Sequence, residues 1–219
     1  MNHPTILEGR AAPLPIANLD TDQIMPKQFL RRIDKAGLAQ GLLYDLRFDQ
    51  HDKPRPDCVL NQPAYAGASV LIGGPNFGCG SSREHAVWGL QQFGVQVVIA
   101  SSFGEIFYSN AMNNRLLLVI LPDADIEKML ADATDPRTNT VRVDLATMTV
   151  HSASHTAPFT LSARHRHMFL EGLDMIGASL LHRDAILAFA EQHWEQRPWL
   201  RDVARRTRDR LGDTGLLCS

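Results

Sequence analysis

The sequence predicts an α/β fold with a mainly parallel central sheet, and three observations carry that prediction. Three short aliphatic runs, at 68–73, 95–100 and 116–121, stand in the middle of the chain. Two segments between them repeat apolar residues at helical intervals. The resulting order of strand, helix, strand, helix, strand with short connections favours parallel pairing through right-handed crossovers.

Taken in order, residues 5–24 mix short apolar stretches with Pro13 and Pro15 and lead into Asn18-Leu19-Asp20-Thr21-Asp22-Gln23-Ile24-Met25-Pro26, a pattern of strands and loops. From 27 to 49, Phe29, Leu30, Ile33, Leu38, Leu42 and Leu43 are separated by charges and glycines, as in short helical turns at a surface. Residues 51–56, with two prolines and three charges, read as an exposed loop. The run 68–73 reads as a buried strand that stops at Gly74-Pro75. Ser81 and Glu84 then have the Ser-x-x-Glu spacing of a capping box, and Ala86, Val87, Leu90 and Phe93 continue at helical spacing to Gly94. A helix capped by Ser81 is therefore expected. A β-branched strand at 95–100, a helix carrying Ile106, Phe107 and Ala111, and a strand ended by Pro122 complete the core.

Beyond Pro122, residues 125–133 read as a helix, and two alternating runs around Ala146-Thr147 read as a hairpin. Phe159-Thr160-Leu161 is expected to add a strand, and Ile186, Leu187 and Ala190 mark a helix over 183–194. The tail from Arg197 places Leu200, Val203, Ala204 and Leu211 on one side and five arginines after Leu200 elsewhere, the pattern of an amphipathic, solvated helix. One domain is expected over 1–195, with 196–219 as a basic extension.

Composition is that of a globular chain: 44% hydrophobic, 21% charged and a net charge of −2. That balance gives no support to nucleic-acid or anionic-membrane binding. No signal-like start and no membrane-length apolar run occur, so a cytoplasmic protein is expected. The three cysteines, Cys58, Cys79 and Cys218, are too widely spaced for a disulfide framework or a metal centre in this chain, so none is expected. His165 and His167 form the densest histidine pair and read as a solvated polar turn.

The chemistry concentrates in Asn76-Phe77-Gly78-Cys79-Gly80-Ser81-Ser82-Arg83-Glu84-His85. A glycine-rich loop leading from a strand to a helix start binds anions, because free amides and the positive end of the helix dipole face the ligand. Ser81, Ser82 and Arg83 add two hydroxyls and a fork suited to a planar carboxylate. No Gly-x-x-x-x-Gly-Lys-Ser/Thr nucleotide loop occurs. The residues alone leave two other readings open: a plain helix cap with solvated Arg83 and Glu84, or a nucleophilic Cys79 served by His85.

The stretch Asn76 to Ala86 resembles the signature of the aconitase-superfamily swivelling domain, in particular the small-subunit family of bacterial 3-isopropylmalate dehydratases. Asn18 to Leu30, Ser102-Phe103-Gly104-Glu105-Ile106-Phe107-Tyr108 and Glu171-Gly172-Leu173-Asp174-Met175-Ile176-Gly177 resemble further blocks of that family, in the same order. The chain departs from the family where Val87 and Leu118 replace usual prolines, where Met175 replaces a usual polar residue, and in its longer tail.

The resemblance implies a three-layer β/β/α swivelling domain and a reversible dehydration and rehydration that interconverts 2-isopropylmalate and 3-isopropylmalate in leucine biosynthesis. It implies Ser81 as the base and Ser82 and Arg83 as carboxylate ligands. Asp20 and Thr21 would belong to a second active-site motif, and a loop from Lys27 to Ile33 would read the substrate's alkyl group through Phe29, Leu30 and Ile33. A [4Fe–4S] cluster is expected on a large partner subunit and not on this chain, with activity only in the heteromer. The alternatives are a subunit acting on another alkylmalate, such as dimethylmalate or citramalate, or a non-catalytic binding module. The intact Ser81-Ser82-Arg83 triplet counts against the last.

Overall fold

A computed structural model describes residues 5–30, 37–80 and 82–211. Two compact units divide the chain, Met1–Asp174 and Met175–Ser219. In the first, the described residues form one seven-stranded sheet: β1 (Ile6–Leu14), β2 (Val70–Gly73), β3 (Val97–Ala100), β4 (Leu117–Ile120), β5 (Thr140–Asp144), β6 (Thr149–His151) and β7 (Thr156–Pro158). Their order across the sheet is β4-β3-β2-β1-β5-β6-β7. Strands β1 to β4 are parallel, with Ala12 opposite Leu71, Leu71 opposite Val98 and Val98 opposite Leu118. Strands β5, β6 and β7 extend the sheet in antiparallel fashion from β1. The α/β class, the parallel core and the hairpin expected from sequence are all present.

Helices α1 (Thr21–Ile24) and α2 (Tyr44–Arg47) lie in the segment after β1, together with 3-10 turns at Lys27–Phe29 and Leu38–Gly41. Helix α3 (His85–Phe93) links β2 to β3, α4 (Glu105–Asn113) links β3 to β4, and α5 (Asp123–Thr134) follows β4. Every residue of β2 and β3 is buried, as in a parallel sheet covered on both faces. Helix α3 packs on the Leu38–Gly41 turn and α1, while α5 crosses β1, β2 and β3. By contrast β5 alternates, burying Val141 and Val143 and exposing Thr140 and Arg142.

Two details differ from the sequence reading. The last strand is β7 at Thr156–Pro158, three residues earlier than Phe159-Thr160-Leu161, and Phe159 N instead donates to Met148 O at 3.0 Å while its ring is buried. Pro158 is tolerated because β7 is an edge strand. His165 and His167 lie on α6 (Ala163–Glu171), not in a turn, with Ser162 capping the helix through His165 N at 3.1 Å. The His165 ring sits 6.1 Å from that of Tyr108, and burial, aided by Arg164, lowers its pKa.

The second unit holds α7 (Met175–Leu180), α8 (Arg183–Gln196) and α9 (Val203–Leu211). Pro198 opens a 3-10 turn between α8 and α9, so the amphipathic tail helix begins at Val203.

Candidate functional site

Three loops leave the carboxyl ends of β1, β2 and β3 on one edge of the sheet, the edge where open parallel sheets gather ligands. They are tied by main-chain hydrogen bonds. The 74–80 loop runs between the other two as an additional strand would: Gly78 N donates to Leu19 O at 2.7 Å and Thr21 N to Cys79 O at 2.8 Å on one side. On the other, Phe77 N donates to Ser102 O at 3.0 Å and Gly104 N to Phe77 O at 2.9 Å. Asn76 secures the base of the loop, its Nδ2 donating to Asn18 Oδ1 at 2.9 Å and its amide to Ser102 Oγ at 2.8 Å.

Glycine is required at two points of this weave. Gly78 has φ +74, and a Cβ there would lie 2.3 Å from the Phe107 ring. A Cβ on Gly104 would lie 2.6 Å from Gly78 O, so the neighbouring loop could not come as close.

Helix α3 begins at His85 with Glu84 as its N-cap and no side-chain capping bond, so the expected capping box at Ser81 and Glu84 is not what starts it. Asn110 Nδ2 holds the Ser82 carbonyl at 3.1 Å, a carbonyl that a helix capped at Ser81 would direct to the amide four residues on. Ser82 and Arg83 therefore lie in the irregular segment ahead of α3, and both are exposed. Arg83 has no hydrogen-bond or ion-pair partner among the described residues. Ser81 lies outside the described residues.

Asp20 is the N-cap of α1 in a complete capping box: its Oδ1 accepts from Gln23 N at 2.7 Å, and Gln23 Oε1 accepts from Asp20 N at 3.0 Å. Thr21 is 3% exposed and faces the loop, its Oγ1 only 3.4 Å from where a Gly80 Cβ would stand. Phe29 is half-buried, its ring 5.1 Å from that of Tyr44, and Leu30 is half-buried against the core. Ile33 lies outside the described residues. The structure thus brings Asp20, Thr21, Ser82 and Arg83 to one edge. Val87 and Leu118, the departures from the family's prolines, are fully buried inside α3 and β4.

A cleft of about 210 Å³ opens beside the loop, between Gly78-Cys79-Gly80 and the first turn of α4 from Gly104 to Phe107. Gly104 caps that helix without a side-chain bond, and Glu105 occupies the first turn, where the helix dipole favours negative charge. Ile106, read from sequence only as one of the helically spaced apolar residues of this segment, is 48% exposed at this cleft. Its spacing from Asn110 puts both on one face of α4, a relation visible in the sequence only once Asn110 is known to hold the loop.

Cys79 donates to Asn18 O at 3.4 Å, and Cys58 precedes the Val59–Asn61 turn. Among the described residues no group of three His, Cys, Asp or Glu is placed to hold a metal ion, so the described donors do not fit an iron–sulfur cluster. No helix among them is long and apolar enough to cross a membrane.

The family model of the aconitase C-terminal domain matches residues 1–124, the stretch that holds this edge. The 3-isopropylmalate dehydratase small subunit 1 of Chromobacterium violaceum is 67% identical over 207 residues, covering 94% of this chain and 98% of that one. The small subunit from Caulobacter vibrioides is 48% identical over 90% of this chain and 97% of its own length. A crystal structure of 3-isopropylmalate dehydratase from Methanocaldococcus jannaschii superposes with a TM-score of 0.59 at 28% identity, covering 84% of this chain and 98% of that one. The chain belongs to the family of 3-isopropylmalate dehydratase small subunits.

Proposed function

We propose that this chain is the small subunit of a hydro-lyase that interconverts 2-isopropylmalate and 3-isopropylmalate in the cytoplasm, a step of leucine biosynthesis, and that it works only with a large partner subunit. The observation that carries the reading is the state of Ser82 and Arg83. Both are exposed on a loop held by backbone bonds, and Arg83 spends its charge on nothing among the described residues. A guanidinium held that way is ready to take a carboxylate in a bidentate grip.

The reaction removes a proton from the carbon beside a carboxylate while a hydroxyl departs from the neighbouring carbon. In this proposal Ser81 takes that proton, and Ser82 and Arg83 fix the carboxylate so that the C–H bond points at the base. A serine hydroxyl is a very weak acid, so the proposal needs the positive charge of Arg83 close to Ser81. Thr21 lies against Gly80 and donates its amide to Cys79 O, and the capping box of Asp20 opens the helix that carries it. Leu30 and Ile33 are assigned to the substrate's apolar side, with Phe29 bracing their loop on Tyr44. The family's [4Fe–4S] cluster is assigned to the large subunit.

The test is co-expression with a cluster-bearing large subunit, following the absorbance of the unsaturated acid. Ser81→Ala is expected to abolish turnover, and a rate near wild type would remove Ser81 as the base. Turnover by this chain alone would end the two-subunit reading. A preference above tenfold for dimethylmalate or citramalate would replace isopropylmalate as the substrate.

A further inference from the structure

We propose that Asn110 is a positioning residue for the reaction, acting through the Ser82–Arg83 peptide to fix where Arg83 presents its guanidinium. The role rests on the carboxylate-binding reading of Arg83 above and adds a residue that reading does not assign. The Ser82 carbonyl that Asn110 Nδ2 grips at 3.1 Å belongs to the peptide unit whose nitrogen is that of Arg83. A peptide unit is planar, so a bond that holds its oxygen also orients the Arg83 amide and the Cα from which the side chain starts.

This segment needs such a tie. The main-chain bonds that join the 74–80 loop to its neighbours do not include Ser82 or Arg83, and α3 begins only at His85. Among the described residues, the grip of Asn110 is the hydrogen bond that reaches this pair. Arginine carries many rotamers, and on a freely turning peptide it would spread its charge over many positions. Helix α4 is a firm anchor. Phe107, on the turn before Asn110, is 2% exposed, and its ring packs 5.6 Å from that of Phe77 in the loop itself. One turn beyond Asn110, Asn114 ties α4 to α3: Trp88 Nε1 donates to Asn114 Oδ1 at 3.1 Å and Gln91 Nε2 to Asn114 O at 2.6 Å. The two asparagines thus hold α3 and the segment ahead of it from one face of α4. Asparagine is a poor helix former, so these bonds, and not helix propensity, account for its place in the last turns of α4.

The test is a double-mutant cycle on the reconstituted heteromer at saturating large subunit. Asn110→Leu removes the donor at similar volume, and Asn110→Ala is the second variant. Asn114 Nδ2 bonds the main-chain carbonyl of Asn110 at 2.9 Å, a bond that survives either change, so both variants should fold, which a thermal melt checks. Each is expected to lower kcat/KM on isopropylmalate by about 10- to 100-fold, the scale on which misplacing a substrate-holding group by about 1 Å is felt. In an Arg83→Ala background the same change should cost at most about threefold, because the group it positions is gone. In the full chain alone, the Ser82 carbonyl carbon resonance should shift while those of Leu19 and Phe77, whose oxygens accept from Gly78 N and Gly104 N, stay in place. Equal losses in both backgrounds would make Asn110 a structural residue and overturn the proposal, as would full activity of the variants or an unmoved Ser82 resonance. Failure of the functional reading looks different: the wild-type heteromer then turns over no alkylmalate, whatever the Ser82 resonance does.

Discussion

In the parallel half of the sheet, β2 and β3 are buried at every position and the loops leaving them are joined by backbone hydrogen bonds, whereas in the antiparallel half β5 alternates and its neighbouring turns are tied by carboxylates. Asp132 accepts from Ser152 Oγ at 2.6 Å and from Ser154 N and Oγ, both at 2.8 Å, and Asp144 Oδ1 accepts from Ala146 N at 2.8 Å. Backbone bonds do not titrate and are not removed by replacing a side chain. The ties that join the 74–80 loop to its neighbours are thus insensitive to acid, with Asp20 the carboxylate of the adjoining capping box, whereas the turns of the antiparallel half depend on carboxylate ties that acid can undo.

Substitution at the loop glycines should give the largest effect, since steric access is what a backbone weave depends on. Gly78→Ala adds a Cβ at φ +74 and 2.3 Å from the Phe107 ring, costing about 1–2 kcal/mol for the backbone and about 1–3 kcal/mol for overpacking. Denaturant unfolding should therefore show a loss of about 2–5 kcal/mol, together with loss of turnover; an unchanged midpoint would mean that the loop is not held as described. Arg83→Ala should come next and separate function from stability. Removing one charge-assisted carboxylate contact worth about 1.5–3 kcal/mol lowers kcat/KM by roughly 10- to 150-fold. Its melting curve should match wild type because Arg83 is exposed and has no partner among the described residues. A stability loss equal to the activity loss would show that Arg83 serves the fold.

The same contrast explains what the sequence displayed. Strands buried at every position, or at all but one as in β4 with Ile120 exposed, read as continuous aliphatic runs, so 68–73, 95–100 and 116–121 located β2, β3 and β4, and alternation located the hairpin of β5 and β6. The loop's chemistry was legible as residue types, but its geometry was not. The Ser-x-x-Glu signal at Ser81 is local, whereas the real start of α3 at His85 accompanies bonds from the loop to Leu19, Thr21, Ser102 and Asn110, all distant in sequence. Ile106 has helical spacing that suits a core position, and only the approach of the 78–80 loop to α4 makes it a cleft wall. The contact of Phe29 with Tyr44 likewise joins positions well apart in sequence, which no local pattern announces.

The smallest expected effect lies in the antiparallel half and is tested by acid. Burial raises the pKa of Asp132, but hydrogen bonds from Ser152 and Ser154 outweigh it and hold the carboxyl below its ordinary value. Asp144 is lowered by the Thr147 and Ala146 amides, and Asp135 is lowered to about 2 by Arg137. A folded-state pKa below the unfolded value of about 3.9 gives stability that is present above that value and is lost as pH falls through the folded pKa. Between about pH 4 and pH 2, amides of β5, β6 and β7 should therefore lose hydrogen-exchange protection before those of β2 and β3. Asp132→Ala should bring the same loosening to neutral pH, costing about 1–2 kcal/mol, or a few degrees in melting temperature for a chain of this size, with kcat/KM unchanged. If β2 and β3 open together with β5 to β7 in acid, the sheet unfolds as one unit and the two kinds of tie do not define separate stabilities.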